Sequence, residues 1–150
     1  MNMNRIILFV FLGIFLVSMG CGKKDPPFLP QKEFPLEVVD LKADWINSYI
    51  FLNGKIKGPD GLIGTKKAKD LIKGSRVYYA QYTLKDPPCA GCPVEYHGHH
   101  GFGPEVITEE GFFCKVPGKR RGQIYFFRVH LIGQGETVGP PSDKIRVVVE

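Results

Sequence analysis

From about residue 36 to the carboxyl end, apolar and polar residues alternate with a period of two. Val39, Leu41, Ala43 and Trp45 are interleaved with Asp40, Lys42 and Asp44. Ile46, Ser48, Ile50 and Leu52 follow, with Tyr49 and Phe51 on the other face. Val77, Tyr79 and Gln81 interleave with Tyr78, Ala80 and Tyr82, and Tyr125, Phe127, Val129 and Leu131 with Phe126, Arg128 and His130. Ile145, Val147 and Val149 end the chain. Successive side chains of a strand face opposite ways, so this pattern, rich in β-branched and aromatic residues and cut by Gly and Pro clusters, predicts half-buried strands. The sole helical candidate is 65–73 (TKKAKDLIK), with Thr65 as cap and Gly74 as stop; a basic loop fits the same residues. Several such strands and no alternation of strand with helix predict an all-β antiparallel sandwich.

Composition agrees with that class. The chain has 150 residues, enough for one ordinary domain, and is 43% hydrophobic and 23% charged, as globular chains are. Its 18 Gly and 12 Pro break long helices and favour short strands joined by turns. The net charge of +5 excludes an acidic tail protein and is too small to indicate nucleic acid as a partner.

Residues 1–20 read as an address. Arg5 precedes an unbroken run, 6–17 (IILFVFLGIFLV), of apolar residues and one Gly. Twelve residues are too few to cross a bilayer, which takes about 20, and suit the hydrophobic region of a signal peptide. Ser18-Met19-Gly20-Cys21 follows. This resembles the lipobox of bacterial lipoprotein precursors, and the resemblance implies cleavage before Cys21, a diacylglycerol on its thiol and acyl (palmitate) chains carried on Cys21. Two or more chains, at about 0.8 kcal/mol per buried CH₂, hold a protein stably on a bilayer. Gly22 stands where an Asp often retains such proteins at the inner membrane, so the resemblance favours the outer membrane of a bacterial envelope. A plain secretory signal or an uncut anchor is the other reading.

The segment 21–35 carries Pro26, Pro27, Pro30 and Pro35 and predicts an extended lipidated tether, about 40 Å long in polyproline II geometry. The domain is expected over 36–150, with inserts near 57–74 and 85–104. Residues 122–150 (GQIYFFRVHLIGQGETVGPPSDKIRVVVE) resemble the end of a fibronectin type III domain: a Tyr-x-Phe-x-Val strand, a Gly turn, then Gly, Pro and Ser before a Val-rich strand. Tyr125, Phe127, Arg128, Val129, Gly135, Gly139, Pro141 and Ser142 carry the match, and Val39, Leu41 and Ala43 fit the first strand. The resemblance implies an immunoglobulin-like sandwich, with Tyr125 as the structural tyrosine corner whose hydroxyl bonds to nearby backbone. The family's second strand usually has a core Trp about where Gly54 falls, and Trp45 is the residue available for that space.

The one constellation with chemical potential is in 86–104 (DPPCAGCPVEYHGHHGFGP). Cys89, Cys92, His97, His99 and His100, with Cys114 on a probable strand, offer the soft sulfur and nitrogen ligands that zinc or copper takes. The same cysteines suit a structural disulfide in an oxidising compartment: Cys89–Cys114, Cys92–Cys114 or Cys89–Cys92. Free thiols are the third state. Pro93 stands where haem attachment would need His, and no βαβ context supports a thioredoxin.

Lys119, Arg120 and Arg121 sit between Gly118 and Gly122 at an expected hairpin tip. Such a basic patch protects a sheet edge or meets an anionic glycan, a lipid headgroup or an acidic protein. No nucleophile elbow, phosphate loop or carboxylate pair is present in the sequence. The expected function is therefore a non-catalytic interaction or structural module, membrane-anchored in the envelope with an envelope component as partner and no nucleic acid. The alternative is a zinc- or copper-binding lipoprotein.

Overall fold

A computed structural model describes residues 33–89, 91–118 and 121–150. The signal segment, Cys21 and most of the tether lie outside these residues.

The first strand, β1 (Glu37–Ile46), turns through Asn47 and Ser48 into β2 (Tyr49–Gly58), with Ile46 opposite Tyr49. Both turn residues have positive φ, 49° and 67°, the geometry of a tight hairpin whose twist matches its strands. A short β3 (Gly61–Leu62) folds back on β2, and α1 (Thr65–Leu71) follows. Then come β4 (Gly74–Thr83), β5 (Gly98–Phe102), β6 (Ile107–Thr108), β7 (Gly111–Pro117), β8 (Gln123–Ile132) and β9 (Ile145–Val149). They form two antiparallel sheets, β1-β2-β7-β6 with β3 beside β2, and β5-β4-β8-β9. This is the partition of an immunoglobulin-like sandwich, in which consecutive strands switch sheets. The all-β expectation holds.

The inner faces meet in one core. Leu36, Val38, Ile50, Leu52, Phe112 and Val116 of the first sheet face Val77, Phe127, Val129, Leu131, Val147 and Val149 of the second. Phe34, on the tether side of the expected boundary at 36, is buried in the same core. The α1 segment buries Ala68 in the core, as does Ile72 just past its end, and leaves Lys66, Lys67 and Lys69 outside. The residue at the N-cap is Gly64, not Thr65, and no side chain caps it.

Three details depart from the sequence pattern. The pairing of β1 with β2 slips between Val39 and Lys42, where Asp40 takes φ 53°. This bulge adds one residue, so the inward phase is Leu36, Val38, then Leu41, Ala43 and Trp45, with Val38 in place of Val39. Second, Trp45 does not fill the space at Gly54. It pairs with Ile50 at the other end of β2, while Val38 Cγ1 lies 2.6 Å from where a Cβ on Gly54 would stand. Third, the stretch expected as the insert 85–104 supplies β5, the edge strand of the second sheet.

The match between Gly139, Ser142 and the family pattern has a structural cause. The Gly139 N–H donates to the Leu131 carbonyl at 2.8 Å, and Ser142 exchanges bonds with Val129: its Oγ accepts from Val129 N–H and its N–H donates to Val129 O, each at 2.9 Å. These contacts lay the connection along β8 before β9 begins.

Gly54→Val should overpack the contact with Val38 and lower stability by about 2 kcal/mol, read as a reduced urea midpoint. The exposed neighbour change Lys57→Ala should stay within about 0.5 kcal/mol of the parent.

Candidate functional site

The outward face of the second sheet is unusual because it too is covered. Tyr78, Ala80 and Tyr82 of β4 and Ile124, Phe126, Arg128 and His130 of β8 point away from the main core. Ala80 and Ile124 are nonetheless fully buried, since Val94 and Tyr96 of the segment before β5 pack on them together with Tyr82, Phe126 and Val148. Tyr96 meets Tyr78 edge-on at 6.2 Å, and the Arg128 guanidinium lies 5.8 Å from the Tyr96 ring centre. Burial raises the Tyr96 pKa, with the Arg128 charge opposing the shift.

Ahead of Val94 the chain makes a tight turn. The Cys92 N–H donates to the Cys89 carbonyl at 3.1 Å, and Gly91 has φ 83°, a conformation that favours glycine in such turns. The turn sets the two Cα atoms 5.4 Å apart, within the span of a disulfide, and Cys89 and Cys92 are bridged. Both residues are exposed. The bridge flanks a shallow groove whose other walls are Pro88, Phe126, Lys144 and Arg146. Lys144 Nζ is 5.5 Å from the Phe126 ring centre, and Arg146 pairs with Phe126 across the β8–β9 ladder. Among the described residues neither cation is in an ion pair.

The histidines are divided between the two faces of the sheet. His97 accepts the Gln81 N–H at Nδ1, 3.2 Å, and lies against Tyr82 at 5.7 Å. On β5, His99 faces outward against Tyr78 at 5.3 Å, while His100 faces inward and stacks on Tyr79 at 5.0 Å. His130 is half-buried: its Nδ1 donates to the Gly139 carbonyl at 2.9 Å and its ring meets Tyr78 edge-on.

The structure does not bring the six candidate metal ligands together. Cys114 lies on the inner face of the first sheet, opposite Leu52, in the main core. Cys89, Cys92 and His97 lie on the far side of the second sheet. Among the described residues no three His, Cys, Asp or Glu side chains converge as a metal requires. The pairing is Cys89–Cys92, so neither bridge to Cys114 is made; Cys114 is a free, buried thiol whose pKa burial pushes up to about 12.

Tyr125 is buried with its ring stacked on Phe127 at 6.0 Å. Its hydroxyl has no hydrogen-bond partner among the described residues, so the tyrosine-corner bond is not made there. Of the basic tip, Lys119 and Arg120 lie outside the described residues, and Arg121 is 5.9 Å from the Trp45 ring centre.

One surface escaped the sequence reading. On the outward face of the first sheet Phe51 and Phe113 stack at 6.0 Å, and Lys115 Nζ sits 3.6 Å from the Tyr49 ring centre. Tyr49, Phe113 and Ile46 are 40%, 42% and 53% exposed, a row of apolar side chains that the core does not use. The signal was the doublet Phe112-Phe113: in a period-two strand one of two adjacent aromatics must point outward.

No protein-family model and no curated protein sequence matches the chain. Among solved structures the chain is similar to the third fibronectin III domain of the human KIAA0343 protein, with a TM-score of 0.53, 16% sequence identity, and coverage of 85% of this chain and 93% of that one. The fold is thus a fibronectin type III-like sandwich, as the carboxyl-terminal resemblance implied.

Because burial raises the Cys114 pKa from 9.0 to about 12, the thiol ionises earlier in the unfolded chain than in the folded one. Between those values the unfolded state binds fewer protons, so stability should fall as pH rises, by up to about 1.4 kcal/mol per pH unit. Urea midpoints at about pH 8 and pH 10 should show the parent losing about 1 kcal/mol more than Cys114→Ala over that interval.

Proposed function

We propose that this chain is a membrane-anchored envelope lipoprotein whose fibronectin type III-like domain is a non-catalytic docking module. In this reading Cys21 carries the diacylglycerol, the Pro-rich segment 21–35 holds the domain off the bilayer, and the outward face of the first sheet receives a protein partner. The observation that carries it is the row of exposed Tyr49, Phe113 and Lys115 with half-buried Phe51 among them. Exposed aromatic side chains joined to an unpaired cation are the composition of interface centres, where aromatic and cationic residues supply most of the affinity. Among the described residues Lys115 has no acidic partner, and its ammonium lies on an aromatic face. The fitting partner is an envelope protein that presents a carboxylate beside apolar side chains.

The experiment is crosslinking in native membranes followed by purification of the chain. The paired substitution Phe113→Ala with Lys115→Ala should abolish capture of the partner seen with the parent, while Lys66→Ala, on α1, should leave it unchanged. Both variants should unfold within about 1 kcal/mol of the parent, as exposed substitutions do. Mass analysis of the same material should find acyl groups on Cys21, and Cys21→Ser should release the protein into the aqueous fraction. Equal capture by parent and double variant would overturn the docking face, and an unmodified Cys21 would overturn the anchor.

A further inference from the structure

The Cys89–Cys92 bridge lacks the surroundings of a structural staple. It joins residues three apart in sequence, so it ties no strand to another and spans none of the core. The segment it belongs to is already held on the second sheet by Val94 and Tyr96. Both cysteines are exposed, in contrast to Cys114. In addition, the groove beside the bridge is walled by Lys144 and Arg146, neither of which has a carboxylate partner among the described residues. Cations beside a cysteine stabilise its thiolate, and a more stable leaving thiolate departs faster when a disulfide is attacked. Phe126 and Pro88 give the groove an apolar floor and wall suited to the side chains that flank an incoming thiol.

We infer that Cys89–Cys92 is a redox-active disulfide that accepts two electrons from a dithiol docked in the groove walled by Phe126, Lys144 and Arg146. A thiolate of the dithiol attacks one sulfur of the bridge. The S–S bond breaks, a mixed disulfide forms, and the other cysteine leaves as a thiolate in the groove that Lys144 and Arg146 wall. The second thiol of the reductant, as its thiolate, then attacks the mixed disulfide at the reductant's own sulfur. This closes the reductant's disulfide and frees the second cysteine. Two electrons and two protons pass from the dithiol to Cys89 and Cys92. The inference is independent of the docking face on the first sheet, which lies across the core from this groove.

The test uses the full chain and dithiothreitol as the dithiol. Bridge opening is followed by alkylation and peptide mass, and the fold by Trp45 fluorescence and by the alkylation of Cys114. The bridge should open while Trp45 fluorescence is unchanged and Cys114 stays unlabelled. In the reduced protein, the pH midpoint for alkylation of the more reactive cysteine should lie below the ordinary value of about 8.5. The double substitution Lys144→Gln with Arg146→Gln should raise that midpoint by about one pH unit and slow reduction at least about threefold. Unfolding on reduction, with Cys114 becoming labelled, would show a structural staple and overturn the inference. Equal midpoints and equal reduction rates in parent and variant would overturn it as well.

Discussion

The ten-residue ladder between β4 and β8 is the constraint on which the rest of the molecule hangs. Every residue from Gly74 to Thr83 pairs with one from Ile132 to Gln123. The inward side of this ribbon, through Val77, Phe127, Val129 and Leu131, closes the sandwich against the first sheet. Its outward side, through Ala80, Ile124 and Phe126, is the platform for the segment between β4 and β5. Apolar residues on both faces make this pair the mechanical centre of the fold, since separating it would expose both clusters to water. The turn that holds Cys89 and Cys92, the histidines of β5, and Lys144 and Arg146 at the start of β9 are all positioned by reference to it.

Much of this was legible in the sequence, for a simple reason. The alternation at 77–82 and 125–131 records a sheet whose inner face is buried; after β8, Gly139 records a close approach to the Leu36 carbonyl and Ser142 the hydroxyl that accepts from Val129 N–H. What was illegible follows from features that a binary pattern does not encode. A bulge at Asp40 shifts the phase of β1 by one residue, so the pattern selected Val39 where the fold buries Val38. The stretch Gly98–Phe102 has little intrinsic strand preference and reads as a glycine-rich loop. Its extended state is imposed by pairing with β4, an instance of tertiary structure overriding local propensity.

The candidate site was legible in its parts and not in its grouping. CxxC and three nearby histidines suggest one ligand set, yet a strand sends neighbouring side chains to opposite faces. His99 therefore goes outward and His100 inward, and Cys114 is separated from the other cysteines by a whole sheet. Sequence proximity overstated spatial proximity because the residues straddle a strand. The converse error hid the row on the first sheet, whose members come from β2 and β7, more than sixty residues apart in the chain.

The kink at Asp40 has a consequence for the molecule's outer boundary. β1 is the free margin of its sheet, and such a margin presents unpaired backbone groups to any similar strand that drifts past. With Asp40 in the left-handed region and its carboxylate held by Lys55 at 2.9 Å, the backbone there bends out of the line a second strand would need. A copy of the domain that approached this margin would meet a bent rail with a charged pair on it, a poor template for a ribbon continued from one body to the next.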